Sequence, residues 1–364
     1  MDAGNFPYQR FNWIKAEKEK AFLDYIKAEK VEEVPILVTP PCDIFGVVAG
    51  DRVRSLQIQL DSFEMAMRLD SDFMISYLEP WHGVGVYASM FGCPVAWSTF
   101  DAPQTLPVLH SIDEVESIKK PDPLSSEMSR MVLDTITYFR QQTADRLDIV
   151  LTDTQSPNDT ASLIMDTAEF FAYNRLDPNR LDPLLKIITD LIIEFSEMQF
   201  EKMGDTRCQP GHIMLSCRGL PGISISDDNM SFLSVPAYRD CALKYNNRLA
   251  RHFRGISIHT CGNFIQNYAV VQEHKNLMMM DCAVEGVDPN PNQPAKLASA
   301  FANTGILLKV RMGAGEDFWW VLDDLVRPDL KLILQIASDG DIEKSNRIFR
   351  NLKKRCKQIL AEKT

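Results

Sequence analysis

The sequence predicts an α/β protein: a single-domain, TIM-type (β/α)8 barrel preceded by one extra N-terminal helix. Short apolar runs recur along the 364 residues, each followed by Gly, Pro, Asp or Asn. Most are separated by stretches with helical spacing, and no internal repeat, low-complexity tract or Gly/Ser linker divides the chain. Buried strands alternating with helices argue for parallel β/α units, and eight candidate strands favour a closed barrel over an open doubly wound sheet. A hydrophobic content of 45% suffices for one large core, and barrels commonly run past ~250 residues as one unit.

The elements follow in order. Residues 1–33 form the extension, an amphipathic helical pattern in which Trp13, Ile14, Phe22, Tyr25 and Ile26 stand among many Lys and Glu. The barrel is assigned to residues 34–364. Its strands are expected at Val34–Val38, Phe73–Tyr77, Asp148–Thr152, His212–Ser216, Gly255–Ile258, Leu277–Asp281, Ile306–Val310 and Leu330–Ile336. Helical patterns lie at Leu56–Arg68, from Pro183 to Met198 with Gly204 as a C-terminal stop, and at Ala237–Arg254, Phe264–Glu273 and Ala295–Ala302.

A formal net charge of -11 disfavours nucleic acid and anionic membrane surfaces as partners. No run of about 18 apolar residues occurs. The stretch Met1 to Lys30 is polar and charged rather than basic-then-apolar, so no secretory signal is read. A cytoplasmic protein with eight reduced cysteines is therefore expected, compatible with a homodimer. A reduced Cys matters because it can serve as a thiolate ligand.

In a barrel the chemistry sits just after the strands, at the C-terminal face. The sharpest signal there is His259-Thr260-Cys261-Gly262-Asn263. Residues two apart in an extended segment point the same way, so His259 and Cys261 can offer a nitrogen and a sulfur to one ion, and zinc takes both. The competing reading is a buried strand-end His beside an inert Cys. A third donor is expected from a neighbouring strand end. Cys282 is the leading candidate and Asp281 the alternative, because alternation lets one of the two face inward. Cys282 also reads as a small core residue. Cys42 and Cys217 are weaker candidates, and Cys208, Cys241 and Cys356 read as core or surface.

Other polar groups follow other strands. Asp227 and Asp228, within Ser224–Asn229, suit acid/base work or cation binding, or cap the following helix. Thr152–Asp159 is a loop rich in donors and acceptors that lines a pocket or forms a solvated turn. Glu79-Pro80-Trp81-His82-Gly83 combines a carboxylate, an indole and an imidazole able to grip a ligand. Glu79 joins Asp227 and Asp228 as a candidate catalytic group, and Trp81, His82 and Asn263 are candidate cofactor contacts. The pair Trp319-Trp320 reads as helix packing. No Walker loop, strand-linked G-x-G-x-x-G, G-x-S-x-G elbow or H-E-x-x-H is present.

The stretch from Pro221 to Asn263 resembles the uroporphyrinogen decarboxylase superfamily. Its landmarks are Ser226-Asp227-Asp228, then Leu233-Ser234-Val235-Pro236-Ala237-Tyr238-Arg239, then His259-Thr260-Cys261-Gly262-Asn263. Phe91-Gly92-Cys93-Pro94 and Gly286-Val287-Asp288 also look like family features, so the similarity runs from about Val34 to Leu352. The resemblance implies the barrel. It also implies one of two chemistries. True decarboxylases strip acetate groups from a tetrapyrrole and carry an N-terminal arginine motif that holds substrate carboxylates. The corresponding Pro40–Gly46 lacks that motif, with Arg52 and Arg54 further on. The other branch holds zinc-dependent methyltransferases that move a methyl group between a corrinoid protein and a thiol or other nucleophile, and their H-x-C pair resembles His259 and Cys261. Those enzymes take a third Cys from a late loop, where Ala337–Asp341 has none. Cys282 or Asp281 then replaces it, Asp339 ligates instead, or zinc is not bound. The leading expectation is a zinc- and corrinoid-linked methyltransferase. The alternatives are a tetrapyrrole decarboxylase and a non-catalytic corrinoid-binding component.

Overall fold

A computed structural model describes residues 2–98 and 101–363. The barrel strands are β1 (Ile36–Thr39), β2 (Tyr77–Leu78), β3 (Asp148–Ile149), β4 (Ile223–Ser226), β5 (Ile256–His259), β6 (Leu277–Ala283), β7 (Leu307–Arg311) and β8 (Leu332–Ala337). Strands β4 to β8 and then β1 form one continuous parallel sheet, and β2 pairs in parallel with β3. A parallel bridge between Gln155 and Ser226 joins the chain leaving β3 to β4. Among the described residues no ladder joins β1 to β2. There the Asp72 N–H donates to the Ile36 carbonyl and the Val38 N–H to Ser71 Oγ.

Two expected strands are displaced. The second strand moves from Phe73–Tyr77 to Tyr77–Leu78. His212–Ser216 is apolar but forms turns, with Ile213 at φ 47° and the Met214 N–H bonded back to the Gly211 carbonyl. The fourth strand is instead Ile223–Ser226, four residues that alternate Ile and Ser. Met214 and Leu215 are apolar because they fill the barrel interior, not because they pair.

Alternation along the strands builds the interior in layers. Leu37, Met279, Leu307 and Ile333 make an apolar layer with Phe73, Met214 and Leu215. Above it the register sets Ser226 beside His259, His259 beside Asp281, and Asp281 beside Lys309. The intervening residues Ile223, Ile225, Ile256, Ile258, Met280, Cys282, Leu308 and Val310 face the large outer core under the helices. The interior is therefore apolar at one end and ionic towards the strand exits.

The N-terminal helix α1 (Tyr8–Lys27) packs into this scheme. Phe22 joins the apolar interior layer, and Phe11 stacks on Phe63 at 5.0 Å between ring centroids. Tyr25 Oη donates to the Leu332 carbonyl at 2.7 Å and accepts from the Leu332 N–H at 3.1 Å. The other helical patterns are present, the longest being Asp182–Met203 and Ile342–Lys363. Among the described residues no helix is long and apolar enough to cross a membrane.

Candidate functional site

β5 ends on His259 and Cys261 follows it on the same side, as their spacing predicts. His259 Nε2 lies 3.3 Å from Cys261 Sγ and 3.9 Å from Asp228 Oδ1. The donor atoms of Asp228, His259 and Cys261 all fall within 4.8 Å of one another. Tetrahedral zinc, with bonds of about 2.0–2.3 Å, sets its ligands roughly 3.5 Å apart, so a small contraction would complete the group. Nitrogen, sulfur and carboxylate oxygen are donors that zinc accepts, and the set leaves a fourth position.

Each donor is held by the fold. His259 Nδ1–H donates to Asp281 Oδ2 at 2.6 Å, which leaves the Nε2 lone pair facing Cys261 and Asp228. Burial alone would raise the Asp281 carboxyl. Lys309 at 2.5 Å and Arg311 at 3.1 Å, with the His259 hydrogen bond, overcome that and hold it well below the usual carboxylate range. Asp228 Oδ1 accepts from the Cys261 N–H at 2.6 Å. The chain at Asp228 is pinned by buried Asp159, which accepts the N–H groups of Asp228 and Asn229 at 2.5 and 3.0 Å. Ser231 Oγ donates to the Cys261 carbonyl, and Asp288 Oδ2 accepts the Gly262 N–H. Burial and the nearby Asp228 carboxylate push the Cys261 thiol up to about 12. A cation between them would reverse that balance.

The third donor differs from the expected one. Cys282 is fully buried and faces the helix-covered outer core, so it does not reach His259. Asp281, its inward-facing neighbour, orients His259 rather than joining the donor group. Asp339 is exposed and paired with Lys344 at 2.6 Å. Asp228 takes the place assigned to Cys282, because β4 ends at Ser226 and carries the Asp pair to the rim.

Of that pair, Asp227 points away. Its buried carboxylate accepts from Tyr238 Oη at 2.9 Å, Asn246 Nδ2 at 2.8 Å and Ser156 Oγ at 3.2 Å, which leaves it a structural role in place of the catalytic one expected. His82 is a satisfied core histidine, bonded to the Ala49 carbonyl and to Thr135 Oγ1, and burial lowers it to about 4. Asn263 donates to the Pro291 carbonyl and accepts the Ile265 N–H, so it braces the loop. The cofactor roles expected of His82 and Asn263 do not match this placement. Trp81 packs with Ile44 and Ala49, its ring 5.3 Å from Phe45.

Glu79 does reach the mouth. Its Oε1 accepts from His212 Nδ1 at 2.6 Å, while His212 Nε2 lies 3.8 Å from Asp153 Oδ2. Burial opposes the charge on His212, but Asp153 and Glu79 outweigh it and raise the imidazole to about 9. The His212 ring stands edge-on to Phe45 at 5.7 Å and to His259 at 6.2 Å. A cavity of about 190 Å³ opens beside Glu79, between the ends of β1 and β2 and the helix Arg52–Ala66.

Sequence reasoning passed over His212, Lys309 and Arg311. His212 was hidden in an apolar run that reads as a strand. Lys309 did carry a signal, a lysine inside the buried run Ile306–Val310, since an unpaired lysine is almost never fully buried. Asp153 lay in the loop singled out as a pocket lining.

Residues 81–210 match the model of the uroporphyrinogen decarboxylase family. The resemblance read from residues 221–263 thus extends to a separate stretch of the chain. Among solved structures, a methyltransferase from Methanosarcina mazei shares the fold, with a TM-score of 0.64 at 15% sequence identity over 94% of this chain and 98% of that one. No curated protein matches the chain.

Proposed function

We propose that this chain is a uroporphyrinogen decarboxylase-like methyltransferase that holds zinc on Asp228, His259 and Cys261. It would move a methyl group between a corrinoid carried by a partner protein and a thiol or other nucleophile. The observation that carries this reading is the convergence of an imidazole nitrogen, a thiol sulfur and a carboxylate oxygen within 4.8 Å at the strand exits.

Bound there, zinc would supply a Lewis acid that lowers the pKa of an incoming thiol, so that the nucleophile is ready at neutral pH. The remaining work belongs to the protein. Asp281 holds Nδ1 of His259 and so turns Nε2 towards the group, while Lys309 and Arg311 keep Asp281 ionised. The Cys261 loop is tied to Asp228 and Asp288, which holds the sulfur at the rim. Exposed Phe45, Phe232, Val287 and Trp320 lie on the segments that follow β1, β4, β6 and β7. They give the open face an apolar rim that suits a corrinoid protein.

Decarboxylation of a polycarboxylate gains no support from the charge at the mouth. Glu79, Asp153 and Asp228 face it, and the cations there are already engaged, His212 by Glu79 and Asp153, and Lys309 and Arg311 by Asp281.

Metal analysis of protein purified without added zinc tests the proposal. One zinc per chain, lost in Cys261→Ser and in His259→Ala together with methyl transfer from methylcobalamin to thiols, is expected. Metal-free protein that transfers the methyl group at the full rate overturns it.

A further inference from the structure

We propose that the cavity beside Glu79 seats a small uncharged or cationic organic molecule, about one six-membered ring in size, that offers an O–H or N–H to Glu79. Size comes first. An apolar cavity of ~150 Å³ is enough to hold benzene, and this one measures about 190 Å³. It therefore takes one ring with a short substituent. Ile44, Phe45, Phe63, Ile75 and Tyr77 supply an apolar and aromatic wall, and Glu79 is the one carboxylate lining it.

Glu79 is only 3% exposed. Its backbone is clamped by Gln59, whose Oε1 accepts the Glu79 N–H at 2.7 Å and whose Nε2 donates to the Glu79 carbonyl at 3.1 Å. Oε1 is taken by His212. Among the described residues no protein donor reaches Oε2, so one oxygen of a buried carboxylate remains for a ligand. Leaving such an acceptor unmet is costly, and a donor on the ligand removes that cost.

Charge decides the ligand class. His212 is shared between Glu79 and Asp153, and Lys309 and Arg311 are held by Asp281. A carboxylate, phosphate or sulfonate entering the cavity would meet Glu79 with no free cation to offset it. An alcohol, phenol or amine meets a ready acceptor. Such a ligand lies one imidazole away from His259, because the His212 ring contacts both Phe45 and His259. The inference deepens the methyl-transfer reading and rests on it for the ligand's role as methyl donor or acceptor. The binding itself does not depend on zinc.

Calorimetric titration of the full chain, as purified and after chelator treatment, tests this with phenol, benzylamine and benzoate as probes. Phenol, benzylamine or both should bind, with benzoate weaker by roughly tenfold or more. Phenol alone narrows the class to uncharged donors, and benzylamine alone to cations. Glu79→Gln should weaken benzylamine by a similar factor. Ile44→Trp, which adds bulk to the cavity wall and leaves the Glu79 side chain itself unaltered, should abolish binding in protein whose circular dichroism is unchanged. Benzoate binding as tightly as benzylamine, binding indifferent to Ile44→Trp, or no binding of either donor overturns the inference. Binding that persists in metal-free, methyl-transfer-inactive protein retains it while the zinc reading fails. Stoichiometric zinc with no binding of phenol or benzylamine removes it alone.

Discussion

Asp281 carries more of the site than any of the donor residues does. Its fully buried carboxylate meets Lys309, Arg311 and His259 at once. Removing one member of a buried ionic group leaves the others uncompensated at a cost of about 3–5 kcal/mol. Asp281→Asn should lower the unfolding free energy of the metal-free protein by that order, read as a drop in its urea midpoint. It should also weaken zinc retention roughly 10- to 100-fold in a chelator competition, since His259 loses the group that orients it. Cys282→Ala, one residue along and on the opposite face of β6, should leave zinc content unchanged. The buried histidines set a second residue-scale expectation. His212 is raised from 6.5 to about 9, so folding takes up a proton between those values, and stability should fall as pH rises through that window. His82 and His274 are lowered from 6.5 to about 4, which favours the folded state less as pH drops. Buried Asp227, raised to about 6, and Asp159 and Glu79, also raised, act in the opposite sense over the same range. Urea titrations at stepped pH should show the alkaline slope, and His212→Gln should flatten it.

At the level of elements, the loop leaving β5 turns on Gly262. Its φ of 76° lies in the left-handed region, and a Cβ there would meet Ser231 Oγ at 3.0 Å. Left-handed backbone costs a side-chain-bearing residue roughly 1–2 kcal/mol. Ser231 is the residue that donates to the Cys261 carbonyl, so the displaced neighbour is part of what holds the sulfur. Gly262→Ala should therefore depress both the melting temperature and zinc affinity. β4 shows how an element's position decides a residue's role. Because that strand ends at Ser226, paired with His259, the next two residues reach the rim on opposite sides. Asp228 turns to Cys261 and Asp227 to the Tyr238 hydroxyl.

Across the whole molecule, the barrel interior is apolar at one end and ionic at the other. Phe22 of α1 completes the lower interior layer, and Phe11 packs on Phe63 of the helix that walls the cavity. Phe11 is fully buried, and truncating a buried Phe to Ala costs about 3–5 kcal/mol. Phe11→Ala should lower stability by that amount in urea unfolding without changing the metal content of the folded protein. Deleting residues 2–30 should give an aggregating chain, read by light scattering, because the lower layer and Phe63 are then uncovered.

By itself the sequence determined the alternation of strand and helix and the inward pairing of His259 with Cys261. These rest on periodicity and on short-range spacing, which a single chain displays directly. Tertiary structure alone decided that Asp281 rather than Cys282 faces His259, that Asp228 joins the donor group while Asp227 does not, and that His212 stands between Glu79 and Asp153. Each of those outcomes depends on strand register, on where β4 begins, and on contacts between residues as far apart as Glu79 and His212. A one-residue difference in register exchanges the buried face of a strand for the other, and that choice is made by the packing of all eight strands together.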